Sequence, residues 1–124
     1  GIRQYREKSN PQNIHFFKNM EPHDFLRLIK NSKCLIGNSS VGIRESAFLG
    51  IPVVNIGNRQ KRRQRAKSVI DCTHSKEEIK KAINKHLDNG HYKSEFIYGD
   101  GTAGNKIANT LADCELKFHK TITY

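Results

Sequence analysis

The chain has 124 residues, which is enough for one domain and too few for two. Lys and Arg number 22 against 12 Asp and Glu, so the formal net charge is +10, and a hydrophobic fraction of 35% predicts a small core. No apolar run approaches the ~20 residues that a membrane helix needs. Residues 1–10 are polar throughout and show no secretory signal.

Short apolar runs alternate along the chain with longer amphipathic ones, typical of strands alternating with helices. Residues 1–8 resemble the tail of a helix whose preceding strand is missing, which predicts the C-terminal piece of a longer protein. Strands are predicted at Ile14–Phe17, Cys34–Ile36, Ile51–Ile56 and Ser68–Cys72. Helices are predicted at 22–32, at 41–49 with a stop at Gly50, at 76–87 after a Thr73 or Ser75 cap, and from Thr102 through Ile107, Leu111 and Leu116.

This alternation with short connections predicts an α/β fold, a parallel sheet covered by helices. In such a sheet, ligands bind beyond the carboxyl ends of the strands. The stretches that follow the predicted strands are therefore the first place to look for a functional site.

The Gly37–Ser40 turn follows the second predicted strand and leads into a helix. Unpaired amides at a helix start, together with the hydroxyls of Ser39 and Ser40, favour a phosphate or a diphosphate. Glu45, one turn further on, could accept hydrogen bonds from ribose hydroxyls. The alternative is a serine that caps the helix and binds no ligand.

The basic loop, residues 57–67, follows the third predicted strand and projects from the same edge of the sheet. It holds six basic residues and no acidic one, and Arg59 lies directly at the strand exit. Such a run could neutralise a diphosphate, follow a nucleic-acid backbone, or simply be solvated. A nucleic-acid module lacks further support, since no Trp and no aromatic residue is interleaved with the cations.

The three cysteines and six histidines form no pattern that predicts metal binding or catalysis. Cys34, Cys72 and Cys114 are far apart and include no C-x-x-C pair, which argues against zinc and fits a reducing, cytoplasmic compartment. Cys34 and Cys72 adjoin apolar runs, as expected of packing residues. We therefore predict no metal, no cofactor and no catalytic residue in this chain.

Four stretches of the chain form a recognisable set of motifs. They are Gly37-Asn38-Ser39-Ser40-x-Gly42-Ile43-x-Glu45, Gly50-x-Pro52-Val53-Val54-Asn55-Ile56-Gly57-x-Arg59-Gln60, Arg63 with Ala66, and Tyr98-Gly99-Asp100-Gly101. Together they resemble the UDP-N-acetylglucosamine 2-epimerases, and the resemblance covers essentially the whole chain. The Asn-Ser-Ser and Gly-x-Arg-Gln motifs are most similar to the hydrolysing branch of that family.

The resemblance implies a GT-B architecture, with two Rossmann-like domains around a nucleotide cleft. Residues 1–124 would be an incomplete C-terminal, UDP-binding domain, catalytically silent alone, in a cytoplasmic enzyme that is often a dimer. The family's hydrolysing branch removes UDP by anti elimination and adds water to the glycal. The products are N-acetylmannosamine and UDP, on the route to sialic and related nonulosonic acids.

The resemblance also implies roles for individual residues in binding UDP or a UDP-sugar, with no metal, nucleic acid or membrane. Ser39 and Ser40 would bind the diphosphate, Glu45 the ribose, and Arg59 would lie on the phosphate or nucleotide side of the cleft. Met20 and Phe25 would form the uracil pocket, although Phe25 could equally be a packing residue. Asp100 would turn the chain toward the last helix.

The sequence departs from the family pattern at two positions: Arg62 stands where the family usually has glycine, and Ser68 where it usually has asparagine. A glycosyltransferase of the same GT-B shape is the alternative enzyme, since it also places a glutamate near the ribose. The Gly-x-Arg-Gln stretch favours the epimerase.

Overall fold

The computed structural model describes residues 1–9 and 11–115. These belong to two compact units, Gly1–Asn31 and Ser32–Tyr124. The first unit contains helices α1 (Ile2–Ser9) and α2 (Pro22–Lys30). The expected helical start of the chain and the helix after Pro22 are thus confirmed.

The strand predicted at Ile14–Phe17 is wrong, because this stretch has no regular structure. A short apolar run becomes a strand only where a neighbouring strand supplies the ladder of hydrogen bonds. Within the described part of the chain, no strand pairs with it. Phe16 instead lies under the Arg6 guanidinium, whose carbon is 5.7 Å from the ring centroid.

The second unit is built on a parallel sheet of three strands in the order β1 (Leu35–Gly37), β2 (Val53–Ile56) and β3 (Val69–Cys72). Leu35 pairs with Val53, and Val53 pairs with Val69. The central strand is buried from Val53 to Asn55, as expected of a parallel strand covered on both faces. The predicted α/β class, a Rossmann-like parallel sheet with flanking helices, is confirmed.

Helix α4 (Lys76–Asn89) packs on β2 and β3 and buries Ala82 and His86. Ser75 caps it, because its hydroxyl accepts a hydrogen bond from the Glu78 amide at 3.4 Å. Ala82 packs with Val54 and Cys72 in a buried cluster, against which Cys34 also packs. The prediction that these two cysteines are packing residues is confirmed.

The short helix α3 (Glu45–Leu49) ends at Gly50, as predicted from the sequence. Gly50 has a φ of 66°, a left-handed conformation that favours glycine. Its carbonyl also accepts the Tyr92 amide at 2.8 Å, so the chain after α4 runs close beside it. A Cβ on Gly50 would lie only 2.1 Å from the Tyr92 carbonyl oxygen.

Helix α5 (Ala103–Asp113) follows the Gly99–Gly101 turn. Asp100 fixes its start, accepting the Thr102 amide at 3.0 Å and the Thr102 hydroxyl at 2.5 Å. The expected structural role of Asp100 is confirmed, and these bonds lower the pKa of its carboxyl. The predicted Leu116 position lies outside the described residues. No helix in residues 1–9 or 11–115 is long and apolar enough to cross a membrane.

Candidate functional site

The serine turn, residues 37–42, lies at the carboxyl end of β1, as predicted. The single helix predicted at 41–49 is wrong, because a 3₁₀ turn at Ser40–Gly42 precedes α3 and the two are separate. Gly42 packs so closely on the sheet that a Cβ would lie 3.0 Å from Val53 Cγ1. A glycine at this position therefore allows the turn to pack closely against the sheet.

The tight turn uses several of the amides that a longer helix start would leave unpaired. The Gly42 amide donates to the Ser39 carbonyl, and the amides of Ile43 and Arg44 donate to the Ser40 carbonyl. The Ser39 hydroxyl accepts the Val41 amide at 3.4 Å, which leaves its own proton available. Ser39 is exposed and Ser40 is half-buried. The turn therefore presents mainly hydroxyl donors rather than a row of unpaired backbone amides.

The basic loop lies next to the serine turn and is joined to it by one side chain. Gln60 is buried, and its Nε2 donates to the Asn38 carbonyl at 2.8 Å. Arg59 immediately precedes Gln60, and Ser39 immediately follows Asn38. The contact therefore joins the two loops that carry the predicted phosphate residues and that follow β1 and β2.

The far end of the basic loop is tied to the sheet by a network that the sequence analysis missed. Arg65 Nε lies 2.8 Å from Asp71 Oδ2, and the buried Asn55 donates to Asp71 Oδ1 at 2.6 Å. Asn55 and Asp71 are register partners on β2 and β3. The only sequence signal was the acidic residue within an otherwise apolar strand. One of the six cations is thus engaged with a carboxylate.

Glu45 borders a pocket of about 420 Å³, which is also lined by Arg44, Phe48 and Tyr98. Its Oε2 is buried and has no hydrogen-bond partner among the described residues. Its Oε1 is 4.0 Å from the Arg44 guanidinium. A carboxylate oxygen with unfilled acceptor capacity matches the hydroxyl donors of a sugar ring.

A second pocket, of about 450 Å³, lies where β3 ends and includes Gly57, Cys72 and Glu78. Burial raises the pKa of the Cys72 thiol, assisted by the nearby Glu78 and Asp71 carboxylates. The Thr73 amide and hydroxyl each donate to the Glu78 carboxylate and lower its pKa. Cys72 is therefore held as a thiol, which is a poor nucleophile.

The two residues predicted to surround uracil belong to the other unit of the chain. Met20 lies in the segment before α2, and Phe25 lies within that helix. Their role stays a prediction. No group of three or more His, Cys, Asp or Glu in residues 1–9 and 11–115 could hold a metal ion.

Comparison with known proteins decides the family. A sequence model of the family described as UDP-N-acetylglucosamine 2-epimerase matches residues 2–112. The chain belongs to the UDP-N-acetylglucosamine 2-epimerase family. The resemblance seen in the motifs is thereby confirmed at the level of the family.

Three relatives illustrate the range of this epimerase family. The chain is 35% identical over 94 residues to the UDP-N-acetylglucosamine 2-epimerase of Neisseria meningitidis serogroup B, covering 73% of the chain and 25% of the relative. It is 32% identical over 98 residues to the hydrolysing UDP-N,N'-diacetylbacillosamine 2-epimerase of Legionella pneumophila, covering 79% and 26%. It is 48% identical over 65 residues to the polysialic acid biosynthesis protein P7 of Escherichia coli, covering 52% and 17%. The chain spans about a quarter of the length of the first two relatives.

Proposed function

We propose that this chain is the UDP-binding part of a hydrolysing UDP-N-acetylglucosamine 2-epimerase. It would form part of the C-terminal domain of a cytoplasmic GT-B enzyme that acts as a dimer. The observation that carries the proposal is the contact between Gln60 and Asn38, because it joins the serine turn to the basic loop at one edge of the sheet. Membership of the epimerase family supports it.

The proposed ligand contacts follow from the groups that the two loops present. Ser39 and Ser40 donate hydroxyl hydrogen bonds to the diphosphate, and Arg59 supplies positive charge beside them. The free Glu45 oxygen accepts from the ribose. For Met20 and Phe25 we keep the proposed contact with uracil that the family resemblance implies.

These contacts would assist the departure of UDP from the sugar. In the proposed reaction the bond between the anomeric carbon and the diphosphate oxygen breaks, and negative charge develops on that oxygen. Donors already in place around the diphosphate stabilise this charge without reorganisation. The groups that move the proton at the sugar would lie outside this chain, so the chain alone would be inactive.

The hydrolysing reaction on the route to sialic and related nonulosonic acids is supported by two relatives. One is named a hydrolysing epimerase, and another a polysialic acid biosynthesis protein. The choice between plain N-acetylglucosamine and a diacetylated relative depends on sugar contacts that we assign to the other half of the enzyme.

UDP binding is tested by calorimetry on the full-length protein. We expect Ser39→Ala with Ser40→Ala to weaken UDP binding at least about tenfold, since charge-assisted hydrogen bonds contribute about 1.5–3 kcal/mol each. Ser94→Ala, which removes an exposed serine outside the turn, serves as the matched control. Unaltered UDP affinity in the double variant would contradict the phosphate role of the turn.

The reaction itself is tested with UDP-N-acetylglucosamine, no acceptor sugar and ¹⁸O-labelled water. Cleavage at the anomeric carbon followed by addition of water predicts free N-acetylmannosamine carrying the label, and unlabelled UDP. Absence of free N-acetylmannosamine would contradict this reaction on UDP-N-acetylglucosamine.

A further inference from the structure

Gln60 occupies an unusual position for a glutamine in a strongly basic loop. The residue is only 3% exposed, whereas Arg59 and Lys61 on either side are exposed. The amide nitrogen must face Asn38, because a carbonyl oxygen can only accept a hydrogen bond. The amide oxygen Oε1 therefore points the other way, and within the described chain it is buried without a partner.

A glutamine that only filled space here would lower the stability of the fold relative to an apolar residue. Burying a polar oxygen without a hydrogen bond is unfavourable, and an apolar side chain of similar length would avoid this. The hydrogen bond that Gln60 makes is directed to the residue just before Ser39. Unlike an apolar residue, the glutamine fixes the distance between the basic loop and the serine turn through this hydrogen bond.

The loop that carries Gln60 is anchored to the sheet on both sides of this residue. Before it, the Gly57 amide donates to the Cys72 carbonyl at 2.8 Å, which extends the pairing of β2 with β3. After it, Arg65 is held by Asp71 on β3. The loop is thus tied to the sheet on both sides of Gln60, and the hydrogen bond to Asn38 links this anchored loop to the serine turn.

We propose that Gln60 is a positioning residue for diphosphate binding: through the Asn38 carbonyl it holds the Ser39 and Ser40 hydroxyls in the arrangement that receives the ligand. This inference rests on the proposed function and adds a residue that does not itself contact the ligand. Misplacement of such donors by a fraction of an ångström weakens their hydrogen bonds, whose strength depends steeply on geometry.

The experiment replaces the amide by a neutral side chain of similar length. Gln60→Met removes the donor and the buried unpartnered oxygen together, and Gln64→Met makes the same change at an exposed position of the same loop. UDP affinity is measured by calorimetry and unfolding by thermal denaturation, on the full-length protein. We expect Gln60→Met to unfold at or above the wild-type temperature yet bind UDP at least tenfold more weakly, and Gln64→Met to stay within threefold.

Two outcomes separate this inference from the proposed function. If Gln60→Met binds UDP within threefold of wild type while the double serine variant loses binding, the positioning role is overturned and the function stands. If wild type does not bind UDP, amide hydrogen exchange of residues 39–43 decides the positioning role. Exchange at least tenfold faster in Gln60→Met than in Gln64→Met supports the role, and equal exchange overturns it.

A second variant keeps the test informative if Gln60→Met does not fold. Gln60→Glu preserves the shape and removes the donor at neutral pH, with Gln64→Glu as the control for added charge on the loop. We expect at least a tenfold loss of UDP affinity for Gln60→Glu beyond that of Gln64→Glu. Equal affinities for the two glutamate variants would overturn the positioning role.

Discussion

Replacing Arg62 with glycine should stabilise the protein. Among the described residues, Arg62 alone of the non-glycine residues has a positive φ, at 69°. Its side chain is exposed, so the substitution removes little packing. The conformation fits the glycine that the resemblance to the family implies at this position.

The expected gain is the difference between two backbone effects. The left-handed conformation costs a residue with a Cβ about 1–2 kcal/mol, which glycine avoids. Glycine loses about 0.5–1 kcal/mol more in chain entropy on folding. The net stabilisation is therefore about 0–1.5 kcal/mol, and the midpoints of the two ranges give about 0.75 kcal/mol.

Chemical denaturation of the full-length protein measures the change, with Arg63→Gly as the matched control. Arg63 lies in the same loop and carries the same charge, but its φ is negative, so glycine there should destabilise by about 0.5–1 kcal/mol. Arg62→Ala removes the charge, retains the strained conformation and should leave stability nearly unchanged. Equal free energies of unfolding for Arg62→Gly and Arg63→Gly would refute the backbone argument, because charge removal would then explain both.

Three further outcomes follow from the packing between α4, β2 and the segment after α4. Gly50→Ala should destabilise by at least about 2 kcal/mol in a denaturant titration, because its new Cβ would meet the Tyr92 carbonyl and adopt a positive φ. Stability should fall as pH drops below about 6.5, by up to about 1.4 kcal/mol per pH unit, because burial lowers the pKa of His86 and the unfolded chain takes up the proton first. His86→Gln should flatten that pH dependence, and an unchanged pH slope would show that other groups cause it. His86 Nε2 donates to the Val53 carbonyl at 3.0 Å, so its Nδ1 accepts from the Tyr92 hydroxyl at 3.3 Å. Tyr92→Phe removes that second hydrogen bond and should lower the free energy of unfolding by about 1 kcal/mol in the same titration. An unchanged free energy of unfolding would mean that the hydroxyl bond contributes nothing.

The sequence by itself determined the elements whose signals are local. The β-branched run at Val53–Ile56, the Ser75 cap and the Gly50 stop depend on a few neighbouring residues, and each lies where the sequence predicted it. The alternation of these elements was enough to predict the parallel sheet. It also placed Ser39 and Arg59 in loops that follow adjacent strands.

Only the tertiary structure decided the features that depend on residues distant in the chain. Ile14–Phe17 has a strand composition and no strand partner among the described residues. Close packing of Gly42 on Val53 accompanies a break in the helix that periodicity predicted as continuous. The contact from Gln60 to Asn38 spans 22 residues, and no local pattern distinguishes it from the other amides of that loop. Periodicity and capping are short-range effects, whereas a buried hydrogen bond exists only when the fold brings its two ends together.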